Sequence, residues 1–258
     1  MNFKLPLIFD DLAGKRFNLH THTTRCNHAT GTEREYVEKA IEAGFEVLGF
    51  SEHMPHVFEQ GYVSRIRMQM HQLDEYVNTI DNLKKEYAKD ITLYCGLEAE
   101  YFPHTFERSM SEISKYPLDY MILGQHFIDD EIGYEHVGWT PQSEARLERY
   151  VNQILEGLSH DCFLYVAHPD VIRFEDDPAI YEKHMKRLID ELKRRHIPLE
   201  LNLGGFSTNQ HYPGNRFIEM GLKNGNDFII GVDAHSPEAL VDYENYQALQ
   251  KLIQRGVV

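Results

Sequence analysis

Short apolar runs alternate along the chain with longer stretches in which apolar residues recur every three or four positions. The runs near Phe17, Val47, Ile91, Tyr120, Phe163, Leu199 and Phe228 read as buried strands. Helical spacing is found over 69–88, 106–115, 142–158, 179–195, 215–223 and 238–254. Thr32-x-x-Glu35 forms a capping-box pattern ahead of Tyr36, Val37, Ala40 and Ile41, and Gly44 supplies a stop. Asp177-Pro178 and Ser236-Pro237 each set a capping residue before a proline suited to the first helical turn. About seven β/α units follow, with no internal linker, repeat or low-complexity stretch. That alternation predicts one α/β domain over 1–258, with parallel strands covered by helices.

The strand ends carry the chemistry. Val47 to Phe50 leads into Ser51-Glu52-His53, Ile91 to Leu97 into Glu98, and Tyr120 to Leu123 into Gln125-His126. Phe163 to Ala167 leads into His168, and Phe228 to Val232 into Asp233-Ala234-His235. At the start stands His20-x-His22, with His28 six residues on. Alternate residues on an extended strand project to one side, so His20 and His22 can aim at one metal ion. The pair alone would serve equally on an exposed strand or in a buried polar site. Repetition at strand C-termini, which converge on one mouth in a β/α barrel, favours the metal.

These motifs resemble the PHP family of phosphoesterases (polymerase and histidinol phosphatase). His20-x-His22, His28, His53, Glu98, His126, His168 and Asp233-x-His235 stand in the family's order, and the resemblance runs from Phe17 onward. It implies a distorted seven-stranded β/α (TIM-like) barrel of the PHP type, holding two or three divalent transition metals. His20, His22, Glu98 and Asp233 would take the first ion, Glu98, His126 and His168 the second, and His28, His53 and His235 a third. Imidazole and carboxylate donors suit Zn, Mn or Fe. The histidines left over, His56, His71, His104, His136, His160, His184, His196 and His211, are expected mostly at the surface.

Uncatalysed hydrolysis of a phosphate monoester is extremely slow. Paired ions roughly 3.5–4 Å apart lower the pKa of a bound water and clamp phosphate oxygens. The resemblance therefore implies a metal-activated hydroxide as nucleophile, with Glu98 and Asp233 as catalytic carboxylates. Gly49-Phe50-Ser51-Glu52-His53-Met54-Pro55, Gly96 to Tyr101 and Ala167 to Phe174 resemble the histidinol phosphate phosphatase subgroup, which implies L-histidinol phosphate as substrate. Within the last segment Arg173 is the implied phosphate contact and enters the catalytic set, since its planar fork binds two oxygens. Arg216 is a second phosphate candidate. Asn202-Leu203-Gly204-Gly205-Phe206 departs from the subgroup's usual Asn-Thr-Ser-Gly, which bears on substrate contacts and not on metals. Glu52, Glu100 and Asp170 read as residues that orient ligands or meet the substrate. Segments 54–68, 128–141 and 204–213 follow strand ends and can cover the mouth; in them Tyr62, Tyr134 and Trp139 serve either as local anchors or as a platform for an imidazole.

Composition narrows the partners. With 26 basic against 41 acidic residues the net charge is -15, which disfavours nucleic acid. A small phosphate ester is still admitted, because bound cations reverse the local field. The N-terminal apolar run is broken by Pro6 and Asp10-Asp11, so neither a signal peptide nor a membrane span is expected. Cys26, Cys95 and Cys162 give no disulfide framework, and a cytoplasmic location follows. Cys26, between His22 and His28, is expected to be a bystander to the metals. Two alternatives stay open: a PHP phosphoesterase acting on nucleotides or nucleic-acid ends, and a catalytically idle metal-binding barrel.

Overall fold

The computed structural model describes residues 5–59 and 61–255, and they divide into two units. The first runs to Ala99 and takes in Pro103–Ile122 and Val232–Tyr243. Its strands β1 (Phe17–Asn18), β2 (Val47–His53), β3 (Thr92–Ala99) and β4 (Tyr120–Leu123) form a sheet in that order. β1 and β2 pair in parallel from Phe17 opposite Val47, and β2 and β3 continue to His53 opposite Glu98. Every residue of β2 is buried, as expected of a parallel strand covered on both faces.

Helices α1 (Glu33–Glu42), α2 (Leu73–Glu86) and α3 (Phe106–Ile113) belong to this unit. Both halves of the Thr32/Glu35 capping box are made, and α1 buries Tyr36, Val37 and Ala40. In α2 the buried stripe is Leu73, Tyr76, Val77, Ile80 and Leu83, spaced at helical period. Tyr76 donates its hydroxyl to the Gly96 carbonyl at 2.8 Å, tying α2 to β3.

The second unit spans Glu100–Phe102, Leu123–Gly231 and the chain from Glu244. It holds α4 (Glu144–Leu158), α5 (Pro178–Arg194), β5 (Leu199–Asn202), α6 (Leu203–Ser207), α7 (Asn215–Asn224), β6 (Phe228–Gly231) and most of α8 (Tyr243–Arg255). β5 and β6 pair in parallel from Leu199 opposite Phe228. Val151, Ile154 and Leu158 of α4 meet Met185, Leu188 and Leu192 of α5 and Phe217 of α7 in one buried cluster.

Six strands, not seven, are present among the described residues. The run at Phe163 contributes only single bridges from Val166 to Leu123 and to Leu199. The chain leaves the extended state at once after them, because His168 has φ +28 and Pro169 has no amide to donate. Sheets of four and two strands therefore replace an unbroken seven-stranded ladder. Over 238–254 the single helix expected is instead a 3-10 turn, Pro237–Val241, followed by α8. Helix α6 was not foreseen, since two of its five residues are glycines, poor helix formers. It starts because Asn202 Oδ1 accepts the Gly205 amide at 2.8 Å. Of the remaining histidines, His71, His104, His196 and His211 are exposed, whereas His56 and His184 are buried. Among the described residues no helix is long and apolar enough to cross a membrane.

Candidate metal centre

In the first unit His20 and His22 follow β1, His53 ends β2, Glu98 is the next-to-last residue of β3, and Asp233 and His235 come after β6 in the chain. A parallel bridge between Thr21 and Ala234 joins the two outermost segments: His22 N donates to the Ala234 carbonyl at 2.9 Å and Ala234 N to the His20 carbonyl at 3.1 Å. Asp233 has φ +54, a left-handed backbone that costs a non-glycine residue about 1–3 kcal/mol and persists only where its surroundings fix it. The bridge supplies that restraint.

The side chains converge. Asp233 Oδ1 lies 3.1 Å from His22 Nε2 and 3.4 Å from His20 Nε2. Glu98 turns one oxygen to His20 Nε2 at 3.6 Å and the other to His53 Nδ1 at 2.9 Å and His22 Nε2 at 3.6 Å. The rings of His22 and His235 stack at 4.2 Å, as do those of His28 and His235 at 4.7 Å, and His28 Nε2 is 3.0 Å from His235 Nε2. Donor atoms of His20, His22 and Glu98, and separately of His22, His53 and His235, all fall within 4.8 Å of one another.

His22 tests whether this set fits an ion. It is wholly buried, and neither ring nitrogen makes a hydrogen bond. A buried imidazole in that state is costly unless something else occupies its nitrogens. Burial opposes a charge on the ring, but the Asp233, Glu52 and Glu98 carboxylates prevail and push its pKa up to about 9. The same carboxylates attract a metal cation, and nitrogen with oxygen donors is the set that zinc, manganese or iron takes. The residues fit a divalent ion. Burial above all pushes the His235 ring down to about 4, which favours the neutral form that ligates.

Neighbours hold these side chains in place. Glu52 accepts from Thr23 N at 2.8 Å and His53 N at 2.8 Å while one oxygen stands 3.6 Å from His22 Nδ1. Cys26 sends its thiol to the Thr23 carbonyl at 3.1 Å, although its sulfur is also within ligand range of His28 and His235.

In the second unit His126 Nε2 and His168 Nε2 face each other at 3.2 Å. Glu100 pairs with His126 Nδ1 at 2.9 Å and accepts the His126 and Phe127 amides at 3.0 and 3.1 Å. A carboxylate on one ring nitrogen leaves the other to ligate. The left-handed backbone of His168 is held by Glu200, wholly buried in β5, whose Oε2 accepts the His168 amide at 2.6 Å. Glu200 escaped the sequence reading; its signal was a lone carboxylate inside the apolar run Pro198 to Leu201.

Arg173 and Arg216 line one cavity of about 300 Å³ with Asp170, Phe174, Tyr181 and His211. Arg173 Nε donates to Glu175 at 2.7 Å, and Arg216 Nε stands 3.9 Å from Glu182. Asp170 is buried, and burial raises its carboxyl to about 7. Trp139 stacks on His136 at 5.4 Å, and Tyr62 packs edge-on against Phe58 at 5.1 Å, each a local contact.

The model of the PHP domain matches residues 18–203, which contain the strand-end motifs from His20 to His168. The chain belongs to the PHP family. Among curated PHP relatives, a Deinococcus radiodurans protein named probable histidinol-phosphatase is 29% identical over 229 residues, covering 84% of this chain and 85% of that one. The histidinol-phosphatase of Bacillus subtilis is 25% identical over 248 residues, covering 84% and 92%. A PHP-type fold is also shared with the histidinol phosphate phosphatase of Lactococcus lactis, solved with zinc, L-histidinol and phosphate. The TM-score is 0.72 at 20% identity, with 94% of each chain covered.

Proposed function

We propose that this chain is a metal-dependent phosphatase that hydrolyses L-histidinol phosphate to L-histidinol and phosphate. The observation that carries the reading is the convergence of His20, His22, Glu98 and Asp233 around a buried imidazole with no hydrogen bond of its own. The likeness to histidinol-phosphatases over 84% of this chain supports that substrate. The proposed metal ligands are His20, His22, His28, His53, Glu98, Asp233 and His235 in the first unit and His126 and His168 in the second. Two or three ions, of zinc, manganese or iron, are proposed, within one PHP domain over 1–258. Three free thiols accord with a cytoplasmic enzyme.

When bound, divalent ions supply a Lewis acid that binds phosphate oxygens and lowers the pKa of water. Within this chain Asp233 and Glu98 neutralise that charge. Glu100 fixes the ring of His126, and Glu52 sets its carboxylate beside Nδ1 of His22. Arg173 and Arg216 are proposed to meet phosphate oxygens, which requires Arg173 to exchange Glu175 for substrate.

The test is phosphate release from L-histidinol phosphate by protein loaded separately with manganese, zinc and iron, beside an aryl phosphate, a nucleotide and single-stranded DNA. A strong preference for histidinol phosphate is expected. Equal or faster cleavage of nucleotide or DNA would reassign the substrate, and no cleavage of any of them would leave a metal-binding barrel without this activity.

A further inference from the structure

Asp170 is 3% exposed, and its two carboxylate oxygens differ. Oδ2 accepts the Gly214 amide at 2.7 Å, while Oδ1, also buried, has no hydrogen-bond partner. An unsatisfied buried carboxylate oxygen is costly, and in its ionised form the group can only accept. Whatever completes it must donate a hydrogen bond, and a cation would do so most strongly.

The surroundings say where that donor comes from. Asp170 lines the second unit's cavity with Arg173 and Arg216, yet neither guanidinium is bonded to it: Arg173 turns to Glu175 and Arg216 toward Glu182. With Asp170, Glu175 and Asp176 against the two arginines, the lining as a whole is acidic. The volume, about 300 Å³, suits part of a small ligand. One turn, closed by the Val171 amide on the His168 carbonyl at 2.9 Å, carries both His168 and Asp170. A ligand with phosphate near His168 thus has Asp170 within one turn of backbone.

We infer that Asp170 is a specificity-determining residue whose Oδ1 receives the ammonium group of an amino-alcohol phosphate substrate. The inference rests on the phosphatase reading and adds to it which residue distinguishes an amine-bearing ester from any other monoester.

The experiment compares two esters on the zinc- or manganese-loaded protein: L-histidinol phosphate and the phosphate of 3-(imidazol-4-yl)propan-1-ol, which differs by loss of the amine. Wild-type protein should favour the amine-bearing ester by about ten- to a hundredfold in kcat/KM, mostly through KM. Asp170→Asn keeps an oxygen for the Gly214 amide and should abolish that preference, the loss falling at least tenfold more heavily on the amine-bearing ester than on the amine-free one. Calorimetric binding of L-histidinol should weaken in the variant by a similar factor, independently of turnover. Equal slowing of both esters would reduce Asp170 to a support for the Gly214 loop and overturn the inference, as would a preference that survives the substitution. If Asp170→Asn does not fold, Asp170→Ser carries the same comparison. Cleavage of both esters by wild type without preference overturns this inference alone; cleavage of neither overturns the phosphatase reading with it.

Discussion

Asn18 Oδ1 accepts the Val232 amide at 2.9 Å while Asn18 Nδ2 donates to Thr21 Oγ1 at 2.8 Å and to the His20 carbonyl at 3.0 Å. One buried side chain thus fastens the segment bearing His20 and His22 to the segment bearing Asp233. Asn18→Ala leaves several buried polar groups unmatched, at roughly 1–3 kcal/mol for each that cannot reach water. A lower denaturation midpoint is expected together with weaker zinc binding. Unchanged zinc affinity would mean that the two segments hold their spacing without Asn18.

His22→Ala and Asp233→Asn are expected to abolish turnover and lower the metal content, with far-ultraviolet circular dichroism unchanged. Both side chains lie at the centre of the cluster, His22 fully buried and Asp233 within 3.1 Å of it. Mass-spectrometric metal counting on each variant checks the assignment. Wild-type turnover by either one would refute it.

Metal removal should lower the melting temperature. Ions bind the assembled donors and not the unfolded chain, so they stabilise by RT ln(1 + [L]/Kd), about 4 kcal/mol at a thousandfold excess over Kd. Scanning calorimetry before and after dialysis against chelator, then with zinc restored, reads the effect. A melting temperature indifferent to both steps would argue that the imidazole cluster does not hold metal.

Gly49→Ala should destabilise the first unit by about 1–3 kcal/mol or more, as overpacking does. An added Cβ would collide with the Tyr120 hydroxyl and lie 2.8 Å from Leu19 Cδ2, and Tyr120 is pinned there by its 2.7 Å hydrogen bond to the Leu19 carbonyl. Urea unfolding of the variant decides it, and a stability equal to wild type would show that Tyr120 can move aside.

Cys95 should resist alkylation in the native protein. Burial pushes its thiol up to about 12, so the reactive thiolate forms only in strongly alkaline solution. Iodoacetamide at pH 8 should label Cys95 only after denaturant is added, and peptide mapping reads the difference.

Much of the helical frame was legible because its signals are local. Thr32 and Glu35 cap α1 through bonds three residues apart, and Asp177 caps α5 by accepting the Ala179 amide at 2.8 Å. Neither depends on what packs behind it. The strand-end histidines were legible for a similar reason, since a strand's polarity brings each to the same end wherever it lies in the chain. The run at Phe163 misled because its apolar residues suit a strand, while the turn at His168 and Pro169 limits it to single bridges.

By itself, then, the sequence determined most of the helices and six of the strands and which donor types stand at the strand ends, because hydrophobic period and capping act within a few residues. The tertiary structure alone decided that Asn18 would clasp Val232, that Glu200 would hold the His168 amide, and that Asp170, on the wall of a cavity with two arginines, would keep one buried oxygen without a hydrogen bond. Hydrogen bonds and desolvation depend on which atoms arrive together in space, and those partners come from distant parts of the chain.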